Sequence, residues 1–223
     1  MAWPYLGHAR PASTGMKPVR RATTFLGALF SLLLDPTSAR YLPSWVRSLL
    51  PGRTALKDQV PWVSFECLAW LKSHLRQSMV VFEYGSGGST LFVSRRVGKL
   101  ITVEHDEFWY RQVSSALSGE GISNCEYVLC KPEGERWDSY VSVIERYPDD
   151  SFDLVIVDGR ARPDCMRHAF SKIRAGGYLL LDDSERQEYR SAESMLNGYK
   201  RTDFGGLCAY TLLRSKTTVW QKR

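Results

Sequence analysis

The chain has 223 residues, of which 43% are apolar, and a formal net charge of +6. This length suits one α/β domain with an extension, and the apolar content excludes a wholly disordered chain. Residues 1–57 hold eight Lys or Arg and one Asp, giving +7, so the remaining 166 residues sum to −1. Because the basic excess belongs to this arm, composition argues against a nucleic-acid-binding body.

The five cysteines are scattered through the chain. They are Cys67, Cys125, Cys130, Cys165 and Cys208, and no two have the C-x-x-C spacing of a zinc or redox site. This pattern argues against a metal or disulfide framework and favours a reducing compartment. We therefore expect a cytoplasmic protein.

Residues 1–57 are predicted to form a basic extension, partly disordered with one or two helices, ahead of a domain over 58–223. An apolar run at 25–34 follows Lys17, Arg20 and Arg21. It is shorter than the roughly 20 residues that span a bilayer, and no clean cleavage site follows it. It is compatible with contact with a membrane surface, with a helix covering the sheet, or with the interface of a homo-oligomer.

A helix is predicted over 61–76, and the stretch after it carries the first chemical signal. An apolar run at 79–82, a glycine-rich turn at 83–89, helical spacing at 90–97 and a second apolar run at 100–103 follow one another. Strand, turn, helix and strand in this order form a βαβ unit, which predicts a parallel sheet with a right-handed crossover.

The turn indicates a nucleoside-containing ligand. Gly85, Gly87 and Gly88 allow close approach to the backbone, and Glu104, at the end of the second strand, is placed to accept both hydroxyls of a ribose. The dinucleotide pattern G-x-G-x-x-G fails because its third glycine is replaced by Thr90. Glu83, directly before the turn, would repel a pyrophosphate but attract an ammonium group.

Two later strands deliver acids to one edge of the predicted sheet. A helix at 107–117 and a strand at 126–130 come first. The apolar run at 152–157 then ends at Asp158, and the run at 178–181 ends at Asp182 and Asp183. Ligands of open parallel sheets bind outside the carboxyl ends of the strands, so these acids are candidate catalytic residues.

The remaining elements close the fold. A helix is predicted from Arg160 and Arg162 through Ile173, with Gly176 and Gly177 ending it. A helix over 189–197 and two strands over 199–205 and 210–220 follow. The alternation in these last two runs predicts an antiparallel hairpin.

The segments F-E-Y-G-S-G-G-S-T, V-E-H-D, D-L-V-I-V-D-G and G-G-Y-L-L-L-D-D-S-E-R together resemble a small family of class I S-adenosylmethionine-dependent methyltransferases, over about residues 60–221. The resemblance implies an α/β, Rossmann-like fold with a seven-stranded mixed sheet and helices on both faces. It also implies that S-adenosylmethionine is the cofactor. The implied cofactor-binding residues are Glu83, Tyr84, Gly85, Ser86, Gly87, Ser89, Thr90, Glu104, His105 and Asp158.

A more distant likeness concerns metal. Catechol-type O-methyltransferases bind Mg²⁺ through an Asp that ends the fourth strand and an Asp-Asn pair that ends the fifth. Asp158, Asp182 and Asp183 fall on those positions, with Asp183 in place of Asn, so the likeness implies a Mg²⁺ site. Three neighbouring acids are equally suited to a cationic substrate, and the sequence leaves both open.

The predicted function is methyl transfer from S-adenosylmethionine, as O-methylation of a small molecule or a sugar hydroxyl, with no nucleic acid as partner. Two alternatives stay open: an NAD(P)-dependent oxidoreductase, which Thr90 and Glu83 disfavour, and a non-catalytic cofactor-binding partner protein. Neither the acceptor nor the residues that flank the adenine can be predicted from the sequence.

Overall fold

A computed structural model describes residues 36–223, and one mixed sheet of seven strands organises it. The strands are β1 (Val80–Tyr84), β2 (Lys99–Glu104), β3 (Cys125–Leu129), β4 (Phe152–Val157), β5 (Ile173–Leu181), β6 (Lys200–Leu207) and β7 (Arg214–Gln221). Their order across the sheet is β3-β2-β1-β4-β5-β7-β6. Strands β1 to β5 pair in parallel, and β7 runs antiparallel to both neighbours. The predicted fold class is confirmed.

Helices connect these strands. They are α1 (Pro36–Ala39), α2 (Leu42–Ser48), α3 (Ala55–Asp58), α4 (Phe65–His74), α5 (Gly88–Ser94), α6 (Glu107–Gly119), α7 (Asp138–Val141), α8 (Arg162–Ala169) and α9 (Arg190–Glu193). Short 3₁₀ turns lie at Ser142–Arg146, Gln187–Tyr189 and Ser194–Leu196. Among residues 36–223, no helix has the length and apolar character needed to cross a bilayer.

The order of the strands positions the site. The chain leaves β1 toward β2 and β3 on one side, and returns to the other side of β1 as β4. The connections after β1 and β4 therefore diverge, which opens a crevice at the carboxyl ends of these two strands. All of β4, and all of β1 except its first residue, is buried, as expected for strands covered on both faces.

Two predicted helices are shorter in the structure. The helix predicted over 61–76 begins at Phe65, because the Ser64 hydroxyl accepts a hydrogen bond from the Cys67 N–H and caps it. The helix predicted to reach Ile173 ends at Ala169, and Ile173 instead opens β5 opposite Phe152.

In the C-terminal part of the chain, the predicted helix is interrupted but the predicted strands are present. The helix predicted over 189–197 is a series of single turns around α9. The two predicted strands are present as β6 and β7.

The described part of the N-terminal arm packs on the body. Trp45 in α2 is fully buried, and its indole N–H donates to the Thr211 carbonyl at 2.9 Å. The Ser48 hydroxyl accepts a hydrogen bond from the Tyr210 N–H at 3.0 Å. The predicted boundary after residue 57 stays a prediction, and the apolar run at 25–34 lies outside the described residues.

Candidate active site

The glycine turn between β1 and α5 lies against the turn that follows β4. Gly85 has a φ of +86°, and a methyl group on its Cα would lie 2.7 Å from the Gly159 Cα. Only glycine meets both conditions without strain. Gly88 has a different neighbour, because a methyl group there would collide with the carbonyl oxygens of Ala55 and Val60. Gly88 therefore serves the packing of α3 on α5.

Glu83, at the end of β1, braces this turn from within the protein. Its side chain is completely buried, and its Oε2 accepts hydrogen bonds from the hydroxyls of Thr90 at 2.6 Å and Thr102 at 2.8 Å. The Thr90 hydroxyl in turn accepts from the Gly87 N–H at 2.9 Å. The carboxyl group thus fixes the start of α5 through Thr90. Glu83 Oε1 has no hydrogen bond of good geometry, although the Ser89 hydroxyl is close enough to lower the pKa.

This burial predicts a pH-dependent stability. Burial raises the pKa of Glu83 from 4.5 to about 7, against the opposing effect of hydroxyl groups at Ser89, Thr90 and Thr102. The folded chain therefore binds this proton more tightly than the unfolded chain, and the stability falls as the pH rises from about 4.5 to about 7. We expect wild type to lose up to about 3 kcal/mol relative to Glu83→Gln between these limits. Urea unfolding at several pH values measures this, and a pH-independent difference would contradict it.

Glu104, at the end of β2, joins two loops. Its Oε2 accepts from the Ser86 N–H at 3.1 Å and the Ser86 hydroxyl at 2.8 Å. Its Oε1 accepts from the backbone N–H groups of His105 and Asp106 at 2.8 and 2.9 Å. Burial opposes ionisation, but bonds from His105, Asp106 and Ser86 outweigh it and hold the pKa at about 2. The carboxylate is thus charged, and its oxygens are occupied by the protein's own donors.

Aromatic side chains surround Ser86 and His105. The Trp109 indole N–H donates to the Ser86 carbonyl at 2.7 Å, and the Tyr127 hydroxyl lies 2.6 Å from the Ser86 hydroxyl. The His105 ring contacts the Trp137 ring edge-to-face, with centroids 5.2 Å apart. These aromatic residues were not predicted to lie at the site, because the sequence pattern around each of them also suits a residue of the core.

The acids after β4 and β5 meet around one guanidinium group. Arg162 Nη2 donates to Asp158 Oδ1 at 2.8 Å, and Nη1 donates to the Asp182 carbonyl at 2.5 Å. The Asp183 carboxylate lies 3.6 Å from the same Nη1. Asp182 also accepts from the Thr217 hydroxyl at 2.7 Å. Arg162 thus joins the ends of the two strands.

The protonation of these acids follows from their surroundings. Asp158 keeps 28% of its side-chain surface exposed. Burial nevertheless raises its pKa to about 6, with Arg162 opposing the rise and Asp183 and Glu83 adding to it. Asp182 is nearly inaccessible, and burial together with the charge of Asp158 raises its pKa well above the usual value. Asp158 is therefore the more accessible of the two and is charged at neutral pH.

The predicted Mg²⁺ site is not supported by the structure. Within residues 36–223, no group of three or more His, Cys, Asp or Glu side chains is arranged to hold a metal ion. Asp158, Asp182 and Asp183 do converge, but the Arg162 guanidinium lies among them and supplies the positive charge. The sequence offered no sign of this contact, because Asp158 precedes helix α8 and the i,i+4 spacing of helical ion pairs does not apply to it.

The structure brings most of the predicted site residues to one edge of the sheet. Gly85, Ser86, Gly87, Glu104, His105 and Asp158 lie at the carboxyl ends of β1, β2 and β4. Glu83 and Thr90 lie beneath the turn. The Tyr84 side chain points elsewhere, since it is fully buried and its hydroxyl donates to the Val141 carbonyl at 2.6 Å.

Substitution of two glycines tests which of them the folded backbone requires. We expect Gly85→Ala to destabilise the protein by about 2 kcal/mol, because it combines positive φ with a backbone collision. Gly87→Ala is expected to change stability by less than about 1 kcal/mol, because its methyl group would lie 3.7 Å from the Trp109 ring, an ordinary contact. Thermal unfolding of both variants tests this. Equal melting temperatures would contradict it.

Comparisons with known proteins identify the fold. Neither a protein-family model nor a curated protein matches the chain. Among solved structures, a methyltransferase-like protein from Silicibacter pomeroyi is 24% identical, with a TM-score of 0.51 over 70% of this chain and 84% of that one. The tRNA (m1A58) methyltransferase from Aquifex aeolicus is 16% identical, with a TM-score of 0.55 over 74% and 70%.

A third solved structure contains the ligand SAH. It is a methyltransferase candidate from Streptococcus mutans in complex with SAH, 13% identical, with a TM-score of 0.51 over 69% of this chain and 94% of that one. At these identities the likeness extends to the fold. The strand order and these neighbours agree, and the chain has the fold of class I S-adenosylmethionine-dependent methyltransferases.

Proposed function

We propose that the protein is an S-adenosylmethionine-dependent methyltransferase that methylates a hydroxyl group of a small molecule or sugar. The observation that carries the proposal is the connection between the glycine turn and Glu104. Both lie at the carboxyl edge of β1 and β2, and Ser86 bonds directly to the Glu104 carboxylate. A turn that admits close backbone approach, beside an ionised carboxylate, suits a ligand that contains a ribose.

The residues present fit this cofactor. Glu104 is held in its charged form, as an acceptor of ribose hydroxyls requires. A ribose hydroxyl that bound Glu104 Oε2 would displace the Ser86 hydroxyl from that oxygen. Gly87 presents its Cα next to the Trp109 ring, with no side chain in between. Glu83, buried behind the turn with a pKa of about 7, is partly ionised at neutral pH and adds negative potential where the cofactor's cationic part is expected. The contact of each residue with the cofactor stays a prediction.

Asp158 is the group we assign to the acceptor. When bound, S-adenosylmethionine supplies a methyl group already activated by the sulfonium charge. The protein then has to orient the acceptor and take up its proton. Asp158 suits both tasks, because it is partly exposed at the crevice, is charged at neutral pH, and is fixed by the Arg162 guanidinium at 2.8 Å.

The charge at this edge favours a neutral or cationic acceptor. Asp158, Asp182 and Asp183 lie around the largely buried Arg162 guanidinium, and Arg186 pairs with Asp183. These five side chains carry no net positive charge that would bind the phosphates of a nucleic acid. This supports a small-molecule acceptor, even though one structural neighbour is a tRNA methyltransferase.

Ligand binding tests the proposal. We expect S-adenosylhomocysteine (SAH) at 100 times its Kd to raise the free energy of unfolding by about 2.7 kcal/mol, and the melting temperature with it. NAD⁺ should leave the melting temperature unchanged. Stabilisation by NAD⁺ but not by SAH would assign the site to an oxidoreductase. No stabilisation by either would contradict the proposal, and stabilisation by SAH without methyl transfer to any acceptor would favour a non-catalytic cofactor-binding partner protein. Labelled S-adenosylmethionine with panels of metabolites and glycans then identifies the acceptor.

The role of Asp158 predicts a change in rate with pH. We expect kcat of wild type to rise as the pH increases through about 6, where Asp158 loses its proton. Asp158→Asn should lower kcat by about 10²- to 10⁴-fold and abolish this rise. Its affinity for SAH should change little. Initial rates between pH 5 and 8 measure this, and a variant that keeps the wild-type profile would remove Asp158 from proton transfer.

A further inference from the structure

The segment that leads into helix α4 crosses the carboxyl edge of the sheet. At its start, the Val60 carbonyl oxygen lies against the first residue of α5, where it would be 2.5 Å from a methyl group on Gly88. At its end, Ser64 caps α4 and forms an isolated β-bridge with Cys208, directly after β6. Residues 61–63 therefore run from the glycine turn toward the strands at the other side of the sheet.

The end of this segment lies close to the acid cluster. Cys67, in the first turn of α4, is fully buried. Burial raises the pKa of its thiol, the charge of Asp182 adds to the rise, and the Thr217 side chain opposes it. The Thr217 hydroxyl in turn donates to Asp182 Oδ1 at 2.7 Å. The segment thus borders the glycine turn at one end and the acids at the other, which are the two halves of the proposed site.

One side chain of the segment projects from the protein. Pro61, Val63 and Ser64 are buried, whereas Trp62 is 44% exposed. The Trp62 ring meets the Tyr210 ring edge-to-face, with centroids 6.5 Å apart. Because its neighbours in the chain are buried, the exposed indole belongs to a packed segment and presents an aromatic face to a ligand.

Tyr210 supports the indole from the loop between β6 and β7. Its N–H donates to the Ser48 hydroxyl at 3.0 Å, and its hydroxyl donates to the Asp58 carboxylate at 2.9 Å. Its φ of +63° is unusual for a residue other than glycine, and contacts of this kind maintain such a conformation. An aromatic surface that is held in place in this way loses little conformational entropy when a ligand stacks on it.

We propose that Trp62 binds the acceptor of the methyl transfer by stacking on a hydroxyl-bearing ring that has an apolar face. The indole supplies the apolar contact, and the acids supply the polar contacts to the hydroxyl groups. Sugar rings and phenols share this chemistry. The inference rests on the proposed function, since it assigns the acceptor side of the same site. Trp62 therefore determines specificity and takes no part in binding the cofactor.

Fluorine NMR of the full-length protein, labelled with 5-fluorotryptophan and saturated with SAH, tests the proposal. The signal that is absent from Trp62→Phe identifies Trp62. We expect 4-hydroxybenzyl alcohol or methyl β-D-glucopyranoside to shift this signal, and glycerol, which has hydroxyl groups but no ring, to leave it in place. The ring compound that shifts the signal at the lower concentration assigns the acceptor to the phenols or to the sugars.

Substitutions measure how much the indole contributes. We expect Trp62→Ala to weaken binding of this ring compound, followed by ligand-observed NMR, by at least about tenfold. Trp62→Phe keeps an aromatic face and should recover most of the affinity. Met195→Ala is the control, because Met195 is similarly exposed, at 48%, but lies in the turn after α9. It should bind as wild type does, and near-UV circular dichroism checks that all variants keep their tertiary packing.

Two results would overturn the proposal: a Trp62 signal that neither ring compound moves, or equal binding by Trp62→Ala and wild type. If SAH still raises the melting temperature, either result removes only the role of Trp62. A lack of stabilisation by SAH is instead the failure of the proposed function. A Trp62 signal that responds to protein concentration but to neither ring compound would assign Trp62 to a contact with a second copy of the chain, and would also overturn the proposal.

Discussion

We expect Glu104→Gln to weaken SAH binding by at least about 100-fold and to lower the free energy of unfolding by about 3 kcal/mol. The carboxylate accepts hydrogen bonds from donors at Ser86, His105 and Asp106, with both oxygens engaged. An amide has only one accepting oxygen, so its NH₂ group would face N–H donors. Calorimetric titration with SAH and urea unfolding measure the two effects.

The effect of this substitution on stability should depend on pH. The pKa of Glu104 is lowered from 4.5 to about 2, so its stabilising contribution is present above pH 4.5 and is lost as the pH falls toward 2. The difference between wild type and variant should shrink over that window. Glu120→Gln is the control, because Glu120 is exposed and its ion pair with Arg95 should contribute less than about 1 kcal/mol. Equal behaviour of the two variants would contradict the role of Glu104.

We expect Arg162→Met to lower the free energy of unfolding by about 3–5 kcal/mol near pH 8. Its guanidinium donates to the Gly159 and Asp182 carbonyls and to the Asp158 carboxylate, and its loss leaves buried carboxylates unpaired. The loss should be smaller at pH 5, because Asp158 and Asp182 have raised pKa values and take up protons. Arg162→Lys should recover only part of the stability, since it keeps the charge but not the planar fork.

Arg167→Met is the matched control for Arg162→Met. Arg167 lies on the same helix, α8, but it is exposed and pairs with the exposed Asp164. We expect a change below about 1 kcal/mol. If the two substitutions cost the same at pH 8, the Arg162 guanidinium does not hold the acid cluster together.

Much of the fold followed from local patterns. Runs such as Phe152–Val157 are apolar throughout because both faces of the strand are covered, and the glycines of the turn after β1 mark a sharp change of direction. The ends of helices were harder to predict. Whether residues 170–173 continue α8 or enter β5 depends on the pairing of Ile173 with Phe152, which is distant in sequence. Pairing of this kind overrides helical spacing.

The candidate site could likewise be predicted only in part from the sequence. The edge of the sheet and the acids at strand ends could be predicted, because topology alone places them there. Which group balances the charge of the acids depends on side-chain direction. The sequence therefore left Mg²⁺ and a cationic substrate open at the place where the structure has Arg162. Gly88 was likewise interpreted from its own turn alone. It is required by the carbonyl oxygens of Ala55, in the predicted extension, and Val60, at the start of the predicted domain.

The contact between Gly85 and Gly159 has a mechanical consequence. The two turns meet backbone to backbone, and the Asp158 N–H donates to the Tyr84 carbonyl at 3.0 Å. With no side chain between them to deform, a displacement of one turn has to move the other. We therefore expect the two turns to move as one rigid unit, so that any rearrangement of the turn after β1 also repositions the backbone of Asp158.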